Sequence, residues 1–136
     1  MTSIQKLALG VAGITALGIG AFILTAPHTF YASYGIALGS DPSLLSELRA
    51  PGAGLAAFGV LMLAGMVSTA LRHVAVMAAL TVYLAFPAGR VVGLAIDGLP
   101  SSGILSALIL ELGIAALCLI AFRPGARPLA TGLAAR

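Results

Sequence analysis

Four apolar runs dominate this chain, and each is about as long as a helix that crosses a membrane. They cover about residues 7–25, 51–71, 74–96 and 103–122, and a spanning helix needs ~20 apolar residues. The chain is 60% hydrophobic and only 8% charged, whereas a soluble domain carries about 25% charged residues. The sequence therefore predicts an all-α, integral membrane four-helix bundle, formed as a single four-span membrane domain over residues 1–136.

A cleaved signal peptide is the alternative interpretation of the first apolar run. That run, over residues 7–24, exceeds the ~7–15-residue apolar core of a signal peptide, which favours a membrane span. Small residues recur in it at every fourth position and allow another helix to approach closely in lipid. These residues are Ala8, Ala12, Ala16 and Gly20.

Positive charge is distributed unequally between the two ends of the predicted spans. One end carries Lys6, Arg72, Arg123, Arg127 and Arg136, while the loops at the other end carry only Arg49. Because Lys and Arg accumulate in cytoplasmic loops, a multi-pass topology with both termini cytoplasmic is predicted. Membrane topology thereby accounts for the net charge of +3, and no nucleic-acid partner is expected.

The longest polar interval, residues 28–50, separates the first two spans. Phe30, Tyr31 and Tyr34 follow the first span closely and are typical of an interfacial aromatic belt, with ligand stacking as the alternative. Asp41 and Pro42 suit the cap and first position of a short helix. We expect the second span to begin after it, at Pro51.

Ionisable side chains within the apolar runs are the main functional signal. Tyr83, Arg90 and Asp97 recur every seven residues, so they lie close to one face of the third helix. With about 1.5 Å of rise per residue, Arg90 lies ~9 Å below the outer end of its span, and Glu111 lies ~13 Å below the end of the fourth. Because an isolated charge at that depth costs about 2.5–3.5 kcal/mol, Arg90 and Glu111 are predicted to face inward and pair.

These residues predict a polar cluster in the outer half of the bundle. Arg90 is placed at its centre and Glu111 below, with Asp97, Glu47 and Arg49 above, while Tyr83 shares the face of Arg90. Two interpretations stay open. The cluster either only fixes which helices are neighbours, or it binds a ligand or ion, with a polar head group at the charges and an apolar tail along the walls.

Soluble-enzyme and metal motifs are not found in the sequence. It contains no GxSxG, P-loop or HExxH pattern and only one cysteine, Cys118. His28 and His73 are predicted on opposite sides of the membrane, so they cannot share a metal. No metal and no cofactor are therefore expected.

Three short motifs of this chain resemble motifs of the small bacterial membrane proteins grouped as domain of unknown function 4345. They are Glu47-Leu48-Arg49-Ala50 near the start of the second span, Arg90 separated by six residues from Asp97-Gly98, and Glu111 in the last span. The resemblance covers nearly the whole chain. It implies four helices and a location in the bacterial inner membrane, without an assigned activity. The layout also resembles DoxX-like proteins in architecture alone, which says little about function.

Three classes of function are compatible with these features. The sequence favours a non-enzymatic accessory or structural subunit that packs through Gly/Ala-rich helix faces, in a homo-oligomer or a larger membrane complex. The alternative is a binding protein or isomerase-like enzyme for a lipophilic molecule, such as a lipid or quinone, in an outer-leaflet pocket around Arg90 and Glu111. There Glu111 or Asp97 would act as acid/base. A proton or ion pathway is disfavoured because the inner halves of the spans offer almost no polar relay.

Overall fold

The computed structural model describes residues 1–123, and every described element is helical. Four helices are long and apolar enough to cross a membrane, which confirms the predicted all-α bundle. Arg127 and Arg136, two residues of the topology prediction, lie outside the described residues. The helices are α1 (Ser3–Thr25), α2 (Pro27–Ala32), α3 (Pro42–Val67), α4 (Arg72–Asp97) and α5 (Ser102–Phe122).

Helix α3 begins at Pro42 and contains Pro51 in its interior, although the sequence predicts the second span to begin at Pro51. The Asp41 side chain accepts a hydrogen bond of 2.9 Å from the Ser43 amide, and Pro42 provides a backbone angle suited to the first turn. Pro51 has no backbone N–H, so the helix lacks one hydrogen-bond donor at this position. The predicted short helix and the second span are therefore one continuous helix.

The four long helices form a ring. Neighbouring pairs in contact are α1 with α3, α3 with α4, α4 with α5, and α5 with α1. Helices α1 and α4 also touch across the centre of the ring. The Gln5 side chain completes a capping box with Thr2 and donates to the Ala121 carbonyl oxygen at 3.2 Å, which fixes the start of α1 against the end of α5.

Glycines bring α1 and α3 into backbone contact. A β-carbon added at Gly20 would lie 2.5 Å from the Gly52 carbonyl oxygen, and one added at Gly59 would lie 2.8 Å from that of Gly13. Real β-carbons do not approach other atoms so closely. Gly20, one of the small residues predicted to permit close helix packing, therefore does so within the chain itself.

The bundle core is tightly filled at the end that holds the N-terminus. Leu9, Met62 and Cys118 are fully buried there, together with Ala12 and Ala75. Small alanines on facing helices and larger residues between them allow interdigitation without gaps. The other end of the bundle, beyond Tyr83 along α4, is open inside.

Candidate functional site

The inward face of α4 becomes less uniformly buried part-way along the helix. Val82 and Tyr83 are buried at 5% and 3% exposure, whereas Phe86, one turn beyond Val82, is 42% exposed, although Pro87 is buried. The space that opens there is a cavity of about 900 Å³, within the ~300–1,000 Å³ typical of small-molecule sites. Its walls are mainly apolar and come from α1, α4 and α5, with Leu55 added by α3. They include Thr15, Ile19, Ile23, Phe86, Gly89, Gly103, Ala107 and Leu110.

Helix α2 and the turn after it cover one end of this cavity. Phe30, Tyr31 and Tyr34 all line the cavity, and Phe30 makes edge contacts with both tyrosines at ring-centroid distances of 5.2 and 5.1 Å. A β-carbon at Gly103 would lie 2.9 Å from the Tyr34 ring, so the glycine at the start of α5 admits the aromatic group. The three aromatic residues thus form a lid-like layer over the cavity, which we call the aromatic cap (Phe30, Tyr31 and Tyr34).

Arg90 of α4 and Glu111 of α5 form a two-bond ion pair on the cavity wall. The Arg90 Nε donates to Glu111 Oε2 at 2.8 Å, and Nη2 donates to Oε1 at 2.9 Å. The side chains are 27% and 11% exposed, respectively. Parallel hydrogen bonds of this kind are strong and directional, so the pair holds the two helices in register, and both residues line the cavity.

Hydrogen-bond donors at this end of the cavity exceed the partners that the described residues provide. The Arg90 N–H groups not used by Glu111 and the hydroxyls of Tyr31 and Tyr34 make no hydrogen bond to residues 1–123. Burial raises the pKa of the Tyr31 phenol, and the positive charge of Arg90 partly opposes this rise. Tyr31 is therefore a neutral donor at physiological pH and lies within electrostatic range of Arg90.

Tyr83 lies at the base of the cavity with its hydroxyl already engaged. It donates to the Ala12 carbonyl oxygen at 2.8 Å, in a buried hydrogen bond between α4 and α1. Tyr83 also lines the cavity. Because its hydroxyl already donates to Ala12, its ring is the part that a ligand would contact. Its position links the two helices that meet across the centre of the bundle.

The structure places the other predicted site residues away from this ion pair. Asp97 is the last residue of α4 and is exposed, about two helical turns or ~10 Å beyond Arg90. Glu47 and Arg49 are exposed on α3, where Arg49 borders a separate shallow groove with Leu24. None of the three forms an ion pair with another residue in the described chain.

The predicted cluster did not include Tyr31 and Tyr34. Their position after the first span favoured an interfacial belt, and ligand stacking was only the alternative. The available signal was Pro27, which favours the first turn of a new helix, directly after the apolar run. Helix α2 turns these aromatic residues over the bundle instead of leaving them at its edge.

Within residues 1–123 no three side chains of His, Cys, Asp or Glu converge as metal ligands would. A family profile described as "Domain of unknown function (DUF4345)" matches residues 4–122, which confirms the resemblance found in the sequence. No curated protein and no solved structure matches the chain.

Proposed function

This chain belongs to the domain of unknown function 4345 family, and we propose that it binds a lipophilic small molecule whose polar head lies against Arg90. The observation that carries the proposal is the cavity of about 900 Å³ with the Arg90–Glu111 pair on its wall. Sites for small molecules combine an apolar lining with a few placed polar groups. This cavity has that composition.

The location of the cavity supports a ligand that partitions into the membrane. We propose that the chain lies in the bacterial inner membrane with both termini cytoplasmic, as the distribution of Lys and Arg predicts. The cavity is at the end of the bundle opposite the N-terminus, so it would lie in the outer half of the bilayer. A molecule dissolved in the outer leaflet would then meet the apolar walls directly.

The accessory-subunit hypothesis has less structural support than the sequence suggested. It relied on Gly/Ala-rich faces available to a partner, yet Gly13, Gly20, Gly52 and Gly59 are used in the contact between α1 and α3. Assembly into a homo-oligomer or larger complex stays a prediction that these glycines no longer support. The outer cavity, in contrast, is left unfilled by the chain's own side chains.

Binding is favoured over acid/base chemistry by the hydrogen bonds of Glu111. Both of its carboxylate oxygens accept hydrogen bonds from Arg90. The isomerase-like alternative would require the pair to separate when a substrate binds.

Photolabelling of a variant that carries a bulky side chain in the cavity tests the proposal. The probe is a long-chain alcohol with a diazirine in its tail, added to the purified protein in detergent, and labelled peptides are identified by mass spectrometry. Gly89 lines the cavity and has no atom near its missing side chain. Gly89→Phe should therefore narrow the cavity without a clash and reduce labelling of α1 and α5 residues that line it.

Gly113→Phe is the matched control. Gly113 is exposed on α5 with open space around it and does not line the cavity, so this variant should be labelled like the wild type. Labelling restricted to the lipid-facing surface, and equal in all three proteins, would refute the proposal.

A further inference from the structure

Resting on the proposed binding of a lipophile, we propose that the head group accepted here is an uncharged hydrogen-bond acceptor, of the conjugated-carbonyl or quinone class. Its carbonyl oxygen is held by the free guanidinium edge of Arg90 and the hydroxyl of Tyr31. The apolar tail extends along Ile19, Ile23 and Leu110, which line the same cavity.

The hydrogen-bonding groups of the site favour a ligand whose head group accepts hydrogen bonds. Arg90 has only donors, and those not bound to Glu111 have no partner among the described residues. Tyr31 and Tyr34 add hydroxyl groups at the same end of the cavity. Ser106, which also lines the cavity, already donates to the Ser102 carbonyl oxygen at 2.9 Å. A carbonyl oxygen can accept from Arg90 and Tyr31 together, whereas a head group that only donates leaves the free N–H groups of Arg90 unpaired, because a guanidinium cannot accept.

The charges of the site favour a ligand with an uncharged head group. Arg90 and Glu111 neutralise each other through two hydrogen bonds, so this pair brings no net charge to the site. A carboxylate or phosphate head would add an uncompensated negative charge, and an ammonium head an uncompensated positive one, at a depth where such charges are strongly disfavoured. A neutral carbonyl leaves the pair intact and is polarised by the cation beside it.

The shape of the cavity fits a ring with a tail. Arg90, Tyr31 and Tyr34 supply hydrogen-bond donors to it, while Ile19, Ile23 and Leu110 supply apolar walls. The aromatic side chains of the cap offer faces and edges against which a flat conjugated ring can pack. A single long chain without a polar head would leave the donors of Arg90 and Tyr31 unsatisfied.

Competition against the diazirine alcohol provides the test. Three competitors share a ten-carbon tail: a decyl-substituted benzoquinone, decanoic acid and decylamine. The quinone should displace the probe from the cavity at concentrations at least about tenfold lower than the other two. In Tyr31→Phe, which keeps the ring and loses only the hydroxyl, displacement by the quinone should weaken by about tenfold once it is corrected for that variant's own affinity for the probe, the equivalent of one hydrogen bond.

The outcomes separate this inference from the proposed function. Absence of probe labelling in the wild-type cavity would refute both. Labelling with decanoic acid as the best competitor would preserve lipophile binding and overturn the neutral head, because Arg90 would then have exchanged Glu111 for the ligand. Equal displacement by all three competitors, or no effect of Tyr31→Phe on displacement by the quinone, would also overturn it.

Discussion

Gly59 of α3 lies against Gly13 of α1 so closely that a β-carbon at position 59 would stand 2.8 Å from the Gly13 carbonyl oxygen. Backbone atoms form this contact, and they cannot move aside as a flexible side chain does. Gly59→Ala should therefore destabilise the protein by about 1–3 kcal/mol, as overpacking does in well-filled cores. The measurement is thermal unfolding in detergent.

Gly54→Ala is the matched control on the same helix. Gly54 is exposed and has no atom within 4 Å of an added β-carbon. Alanine has the higher helix propensity by up to about 1 kcal/mol, so this variant should unfold at the same or a higher temperature. A similar loss of stability in both variants would mean that α1 and α3 do not touch at Gly59.

The orientation of the chain can be tested with single cysteines. Cys118 is the only cysteine and is buried, so the wild type should not react with a membrane-impermeant maleimide. Ser43 at the start of α3 and Thr69 between α3 and α4 are both at exposed ends of helices. With both termini cytoplasmic, Ser43→Cys should be labelled in spheroplasts and Thr69→Cys only after the membrane is opened. The reverse pattern would place the cavity in the inner leaflet.

Apolar periodicity and length were sufficient to predict the four spans, because a membrane restricts a chain to helices or closed barrels. The ends of α4 agree with that prediction to within two residues at its start and one at its end. The start of α3 does not agree with the prediction, because a proline such as Pro51 is typical of the first turn of a helix. Here α3 continues through Pro51 and lacks one backbone amide donor at that position.

The sequence could predict only the part of the candidate site in which a charged residue needs a partner of opposite charge. Arg90 in an apolar run needs an opposite charge, and Glu111 was the acid at a similar depth. No such requirement linked Tyr31 or Tyr34 to the cavity, since aromatic residues are equally suited to the membrane surface. Their position depends on the turn at Ala26, where α1 ends and α2 begins, which is a tertiary feature rather than a local pattern.

The Tyr31 phenol should make stability depend on alkaline pH. Burial raises its pKa above the usual value of about 10, with the positive charge of Arg90 partly opposing the rise. A raised pKa in the folded state stabilises the fold below the ordinary pKa, and this contribution is lost as pH rises through the folded value. Wild type should therefore lose stability relative to Tyr31→Phe above about pH 10, measured as the difference in Tm between the two proteins. A difference that stays constant across this range would show that Tyr31 is freely solvated.

Removing both members of the ion pair should separate its structural role from ligand recognition. Arg90→Met alone leaves Glu111 without its partner at 11% exposure. It should cost about 2 kcal/mol, below the ~3–5 kcal/mol of a fully buried pair, because Arg90 is 27% exposed. Arg90→Met combined with Glu111→Leu should recover most of that loss, since apolar replacement of a whole pair is often neutral.

The same double variant should still be labelled by the diazirine alcohol, because the apolar walls are unchanged. It should distinguish the decyl benzoquinone from decylamine and decanoic acid less sharply than the wild type, since the donors of Arg90 are gone and only the tyrosine hydroxyls remain. If instead it keeps the full wild-type selectivity among the three competitors, the pair serves only to hold α4 and α5 in register. If the single and double variants are equally unstable, the loss comes from the packing of the Arg90 stem and not from an unpaired charge, because a restored charge balance would otherwise recover stability.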